Sequence, residues 1–225
     1  MKGRNQFLLK MRGSFENVTV TGARDGDVIV KGKIVDTSNP NTVAQSAVRT
    51  RFRRSLEVGR TILAFLNLYF FPSRSTWSSI NAFLHYNLAR QPRLVDGEQL
   101  TDYEVEDLYT YGRLYNPSFA LDGANSSDNG NGTYAVAIDW NYDAGSQIQD
   151  GTDVAKLFLL NQTTLDWKEV DAAATRADGT FTVNVDIPAE GTVLIVPFMA
   201  NAAGTDATKS VPVATLTSAG VLAAV

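Results

Sequence analysis

The sequence predicts an α+β protein: a β-hairpin and two-helix module over residues 1–115, followed by an immunoglobulin-like antiparallel β-sandwich over residues 116–225. Three patterns predict it. Apolar residues alternate with polar ones near the N-terminus, recur at steps of mostly three and four from residue 43 to 88, and alternate again in short runs after residue 118. These are the periods of strand, helix and strand. A chain of 225 residues is long enough for one large or two modest domains.

In residues 14–21, Phe15, Val18 and Val20 stand among polar residues, and residues 27–36 repeat the pattern through Val28, Val30, Ile34 and Val35. Arg24-Asp25-Gly26 between the runs is a turn signal, so they are read as a hairpin. Ser38-Asn39-Pro40-Asn41-Thr42 breaks the strand pattern and offers Thr42 as a helix cap, with Gln45 at capping-box spacing. The first helix is expected over residues 43–70, with Val48, Phe52, Leu56, Ile62, Leu63, Leu66 and Phe70 as its apolar stripe. Gly59 would let another element come close, and Phe71-Pro72 stops the helix because proline disfavours helical geometry in the residue before it. Ser75 or Thr76 caps a second helix with the stripe Trp77, Ile80, Leu84 and Leu88, ended by Pro92. Residues 93–114 read as a connector, with the domain boundary near Tyr115-Asn116-Pro117.

After that boundary, strands are expected at residues 118–121, 133–140, 154–160, 166–170, 179–187, 192–199 and 211–216, separated by turn residues. Such spacing suggests a sandwich. Trp140 continues an alternating apolar face and belongs to its core.

Four short segments carry a resemblance to known proteins. They are Asn39-Pro40-Asn41-Thr42-Val43-Ala44-Gln45, Arg49-Thr50-Arg51-Phe52, Phe83-Leu84-His85-Tyr86-Asn87-Leu88 and Thr175-Arg176-Ala177-Asp178-Gly179. In them the chain resembles an uncharacterised family, catalogued as a domain of unknown function, from Bacteroidetes bacteria and their phages. The resemblance implies hairpin, two helices and sandwich in that order, and it implies no enzyme activity. With a surface rich in neutral polar residues, it leads to the expectation of a tailed-phage virion protein: a neck, tail-ring or head-tail connector component, or a capsid accessory, assembled in the host cytoplasm. Its partners would be other copies of itself and neighbouring virion proteins.

Composition excludes several chemistries. The chain has no cysteine, so disulfides, thiolate nucleophiles and thiolate metal sites do not arise. The single histidine, His85, cannot form a histidine cluster, and no nucleophile-elbow or phosphate-cradling glycine motif accompanies it. No catalytic residue, cofactor or metal site is assigned. Asp122, Asp128 and the asparagines of loop 122–132 offer oxygen ligands suited to calcium, but their spacing is not that of a calcium loop. A hairpin connection rich in turn formers is the simpler reading. No signal peptide is read, since Phe7, Leu8 and Leu9 are too few for its apolar core, and residues 61–71 are about half the length of a membrane span.

Charge is unevenly spread. Residues 1–60 hold 12 Lys+Arg against 5 Asp+Glu, whereas residues 101–225 hold 5 against 17, within a net charge of −4. Either subunits meet head to tail or the charges compensate within one chain. Arg49, Arg51, Arg53, Arg54 and Arg60 form a basic flank on the first helix. At 100° per residue Arg49, Arg53 and Arg60 fall together, and Arg51 and Arg54 make a neighbouring edge. Guanidinium groups pair bidentately with carboxylates and also hold phosphates. The flank is therefore read first as a protein-docking site, with nucleic-acid binding as a less favoured alternative. A further alternative is a glycan or cell-surface binding module, in which Trp167 and loop 122–132 carry the contact.

Overall fold

Alternation near the N-terminus yields more sheet than a hairpin. In the computed structural model, β1 (Lys2–Gly3), β2 (Gly13–Phe15), β3 (Val18–Gly22) and β4 (Val28–Gly32) form an antiparallel sheet in the order β1-β4-β3-β2. The structure describes residues 2–3, 13–15, 18–22, 28–32, 42–71, 77–90, 94–95, 98–99, 103–145 and 149–225. The expected hairpin is β3 against β4, with Val20 opposite Val30. The run expected as one strand over residues 14–21 is two, because Phe15 pairs with Val18. The apolar step from Phe15 to Val18 is three, which a period of two does not accommodate. The turn Arg24-Asp25-Gly26, Ile34, Val35 and the break at residues 38–41 lie outside the described residues.

This sheet belongs to one unit, Met1–Thr42, and the rest of the chain, Val43–Val225, to a second. The second begins with α1 (Val43–Thr61) and α2 (Leu63–Tyr69), the two halves of the expected first helix. The amides of Ile62 and Leu66 still donate to the carbonyls of Val58 and Ile62 at 3.0 Å. Ile62 itself leaves helical geometry, at φ −91° and ψ 16°, where β-branched Thr61 and Ile62 stand close after Gly59.

The buried face of this pair is Ala47, Arg51, Ser55, Val58, Gly59, Ile62, Phe65, Leu66, Tyr69 and Phe70. Of the expected stripe Ile62, Leu66 and Phe70 are buried and Leu56 is half-buried, whereas Val48, Phe52 and Leu63 are 39%, 46% and 38% exposed. Small residues decide the difference. A Cβ on Gly59 would lie 3.2 Å from the Phe83 ring and 3.3 Å from Ile80, so the close approach expected at Gly59 is to α3 (Ser79–Arg90). The cap of α3 is Ser78, whose Oγ accepts from the Asn81 amide at 3.4 Å; Ser75 and Thr76 lie outside the described residues. Its buried face is Ala82, Phe83, Leu84 and Asn87, with Trp77, Ile80 and Leu88 half-buried beside it.

The connector holds the short pair β5 (Leu94–Val95) and β6 (Glu98–Gln99) and a 3₁₀ turn at Tyr103–Glu106. Then come β7 (Ala120–Leu121), β8 (Ser127–Asp128), β9 (Thr133–Asp139), β10 (Val154–Asn161), β11 (Trp167–Thr175), β12 (Thr180–Asp186), β13 (Thr192–Ala200), β14 (Ala214–Thr217) and β15 (Leu222–Ala224). They make a five-stranded sheet, β11-β10-β13-β14-β15, and a smaller one, β12-β9-β7, with β8 also on β9. Every pairing among these nine strands is antiparallel. The α+β class and the sandwich-like layout are as expected.

Two cores share the larger sheet. Ala155, Leu157 and Leu159 of β10 and Val193, Ile195 and Met199 of β13 meet Val136, Ile138, Phe181 and Val185 of the smaller sheet and Trp140 directly after β9. The alternate residues Phe158 and Leu160, with Leu194, Val196, Phe198 and Ala200, cluster with Val58, Ile62, Phe65, Leu66, Phe70 and Phe83 of the helices. Phe65 stacks on Phe158 with ring centroids 4.0 Å apart. The unbroken apolar run in β13 thus reflects burial on both faces. The expected boundary near Tyr115-Asn116-Pro117 falls inside the unit Val43–Val225, where the helices cover one face of the sheet whose other face closes the sandwich. Among the described residues no helix is long and apolar enough to cross a membrane.

Candidate functional site

The five arginines of the basic flank are divided by the fold. Arg51 is on the buried face of α1, and its Nη2 donates to the backbone carbonyl of Asn87. The Asn87 side chain in turn pairs with the backbone of Leu108, donating to its carbonyl (3.0 Å) and accepting from its amide (2.8 Å). Arg51 and Asn87 thereby tie α1, α3 and the segment after the 3₁₀ turn. Removing the amide in N87A leaves two buried backbone groups without partners and is expected to cost about 1–3 kcal/mol, read as a lower urea midpoint.

Arg54 is half-buried and reaches across the fold. Its Nε donates to Glu104 Oε1 (2.5 Å), its Nη1 to Glu57 Oε2 (3.3 Å) and its Nη2 to the backbone carbonyl of Gln162. Burial works against its charge, but hydrogen bonds and attraction from Glu104 and Glu57 outweigh that and hold its pKa above the ordinary value. This ion pair joins the basic and acidic parts of the sequence within one chain. Tyr69 and Lys156 make a similar tie: the Tyr69 hydroxyl donates to Glu169 (2.7 Å), and Lys156 Nζ to Glu169 (2.7 Å) and Asp171 (2.6 Å).

Arg49, Arg53 and Arg60 are exposed. They lie within about 40° of one another around α1, opposite its buried face, in a row about 16 Å long. Phe52 and Val48 flank the row on one side. The surface offered is three guanidinium groups beside an exposed aromatic ring.

Trp167 does not stand alone on the surface. Its ring is half-buried and packs against Phe65 at 6.0 Å and Phe158 at 6.1 Å, at the rim of the helix–sheet core. Trp140 is buried as expected, and its Nε1 donates to the Arg176 carbonyl at 2.8 Å. His85 is exposed and meets Trp77 edge to face at 4.6 Å. In loop 122–132 the carboxylates serve the turns: Asp122 accepts from the Ala124 and Asn125 amides (3.0 and 3.2 Å), and Asp128 from Gly130 (2.8 Å). Among the described residues no three acidic or histidine side chains gather where a metal ion would bind.

A charged pair inside the sandwich was not among the expected features. Arg176 is fully buried; its Nε donates to Asp153 Oδ2 at 3.0 Å, and its Nη2 lies 2.9 Å from the same oxygen. Burial raises the Asp153 pKa, and the guanidinium opposes that without reversing it. The turn around Arg176 is fixed by a capping box between Thr175 and Asp178 and by Gly179 in the left-handed region at φ 75°. The available signal was the segment Thr175-Arg176-Ala177-Asp178-Gly179, which places an arginine at the start of this turn.

Comparison with protein families matches residues 12–214 to a family of unknown function, DUF6266. The chain belongs to this family. No curated protein and no solved structure matches it. All four resembling segments lie inside the DUF6266 match, as do the arginine row and the Arg176–Asp153 pair. Strand β15 lies beyond it.

Proposed function

We propose that this protein is a non-catalytic structural component that works through contacts between subunits, as part of a tailed-phage virion at the neck, tail ring or capsid. The observation that carries the reading is the outward face of α1, where Arg49, Arg53 and Arg60 are exposed beside Phe52. Arginine and aromatic side chains are the residues enriched at protein interfaces. Their complement is the acidic surface of the sandwich, where Asp166, Asp171, Asp178, Asp186 and Glu190 are exposed. A basic face on one subunit meeting an acidic face on the next is a heterologous contact, which closes into a ring or extends as a filament. The virion setting is supported by the resemblance of the four segments and by the neutral polar composition.

The test is the mass of the assembly as salt is raised, measured by light scattering. Assembly is expected at low ionic strength and is expected to weaken as the charges are screened. R49E/R53E/R60E should abolish it while leaving the fold intact, because none of the three lies on the buried face. Assembly indifferent to both salt and charge reversal would overturn the reading. The row also has the length and charge to follow a phosphate backbone. Retention of the wild-type chain on a DNA column at low salt, lost in the same variant, would favour that second reading.

A further inference from the structure

The five-stranded sheet ends in β11 on one side and β15 on the other, and the two edges differ in chemistry. β11 carries Lys168, Glu169 and Asp171, and its register against β10 shifts between Val154 and Lys156, near Ala173 at φ 54°. Charges and a bulge are the features that keep an edge from pairing with another strand. β15 has neither. Residues 218–225 read Ser-Ala-Gly-Val-Leu-Ala-Ala-Val, without charge or proline, and the flanking Val221 and Val225 are 56% and 57% exposed.

The pairing with β14 fixes which backbone groups face outward. The Thr217 amide donates to the Val221 carbonyl at 3.0 Å and the Val225 amide to the Val213 carbonyl at 3.1 Å, with Thr215 opposite Ala223 between them. Residues 221, 223 and 225 therefore turn their amides and carbonyls toward β14, and Leu222 and Ala224 turn theirs away. Among the described residues no strand lies beyond β15.

We propose that this edge pairs with β15 of a second copy, antiparallel across a two-fold axis at Ala223. In that register Leu222 of each copy exchanges both backbone hydrogen bonds with Ala224 of the other. Ala223 faces its own equivalent, where Cα atoms approach to about 4.5 Å and a methyl group fits. Val221 of each copy faces Val225 of the other, so the exposed flanking side chains become cross-strand apolar pairs. The edge carries no charged side chain to repel its copy, and the register is self-complementary, as an isologous contact requires. A sheet continuous through both copies results. This contact uses none of the α1 residues of the proposed function and no ionic attraction, so it stands or falls separately.

The test uses the full chain in the R49E/R53E/R60E background at high salt, where the charged contact is removed. The protein has no cysteine, so A223C puts a single thiol on the axis, within disulfide reach of its equivalent. Under mild oxidation A223C is expected to cross-link to a dimer far faster than the exposed control S218C, on non-reducing gels. A224P removes an outward amide and leaves the bonds to β14 intact. V221K leaves the whole backbone intact and adds a charge. Each is expected to weaken dimerisation about tenfold or more in sedimentation velocity. A chain that stays monomeric, A223C cross-linking no faster than S218C, or a dimer unchanged in both A224P and V221K would each overturn the proposal.

Discussion

Replacing Phe158 with alanine is expected to destabilise the Val43–Val225 unit by about 3–5 kcal/mol and to move its unfolding as one transition. Phe158 is fully buried, stacks on Phe65 at 4.0 Å and lies 5.5 Å from the Tyr109 ring. It sits on the sheet face that the helices cover, so F158A removes contacts of both. If helices and sandwich form one cooperative body, circular dichroism of the helices and, in a W77F/W167F background, fluorescence of the core residue Trp140 should report the same lowered urea midpoint. Two transitions, with only the helical signal lost early, would mean that the helices and the sandwich unfold separately, as a boundary near Tyr115 implies. The stacking pair makes F65A a companion variant, and the two substitutions together should cost less than the sum of each alone, since they share one contact.

Removing the buried guanidinium should have an effect of similar size. R176A leaves the Asp153 carboxylate in the sandwich without its ion partner, a change that typically costs about 3–5 kcal/mol, or roughly 10 °C in Tm for a unit of this size. Its pH dependence identifies the cause. Asp153 already has a native pKa above its ordinary value of 3.8, so its proton favours the fold: that contribution is full below the unfolded pKa and is lost as pH rises through the native one. In R176A nothing opposes the burial, and the native pKa rises further. The stability gap between R176A and wild type should therefore be smallest in acid and widen toward neutral pH, while R176A/D153N should show little of this widening. A gap that is the same at every pH would mean that R176A acts through lost packing alone.

Strand positions after residue 118 were legible because period-two alternation and turn residues are local. β9, β10, β12 and β13 lie within a residue or two of expectation, whereas β11 continues to Thr175 through its irregular register. The orientation of α1 was not legible. Val48 and Phe52 compete with Ala47, Arg51 and Ser55 for the inward side, and hydrophobicity alone favours the first set. What turns the helix the other way is steric fit at Gly59 and the hydrogen bond from Arg51 to Asn87, both set by α3, which no local pattern encodes. The arginine row was legible as a periodicity, but the departure of Arg51 and Arg54 into the fold depends on Asn87, Glu104 and Gln162, distant in sequence. Arg51, Asn87 and Arg176 each lie in one of the segments that carried the family resemblance, so those segments mark internal polar ties as much as surface.

The burial of β10 and β13 on both faces has a consequence for synthesis. Ile62, Phe65, Leu66 and Phe70 leave the ribosome well before Phe158, Leu194 and Phe198, the residues that will cover them. Until β13 follows, the nascent helices carry an apolar face with nothing native to rest on, and contacts so distant in sequence form slowly. That interval is where this chain is most exposed to non-native contacts with other chains.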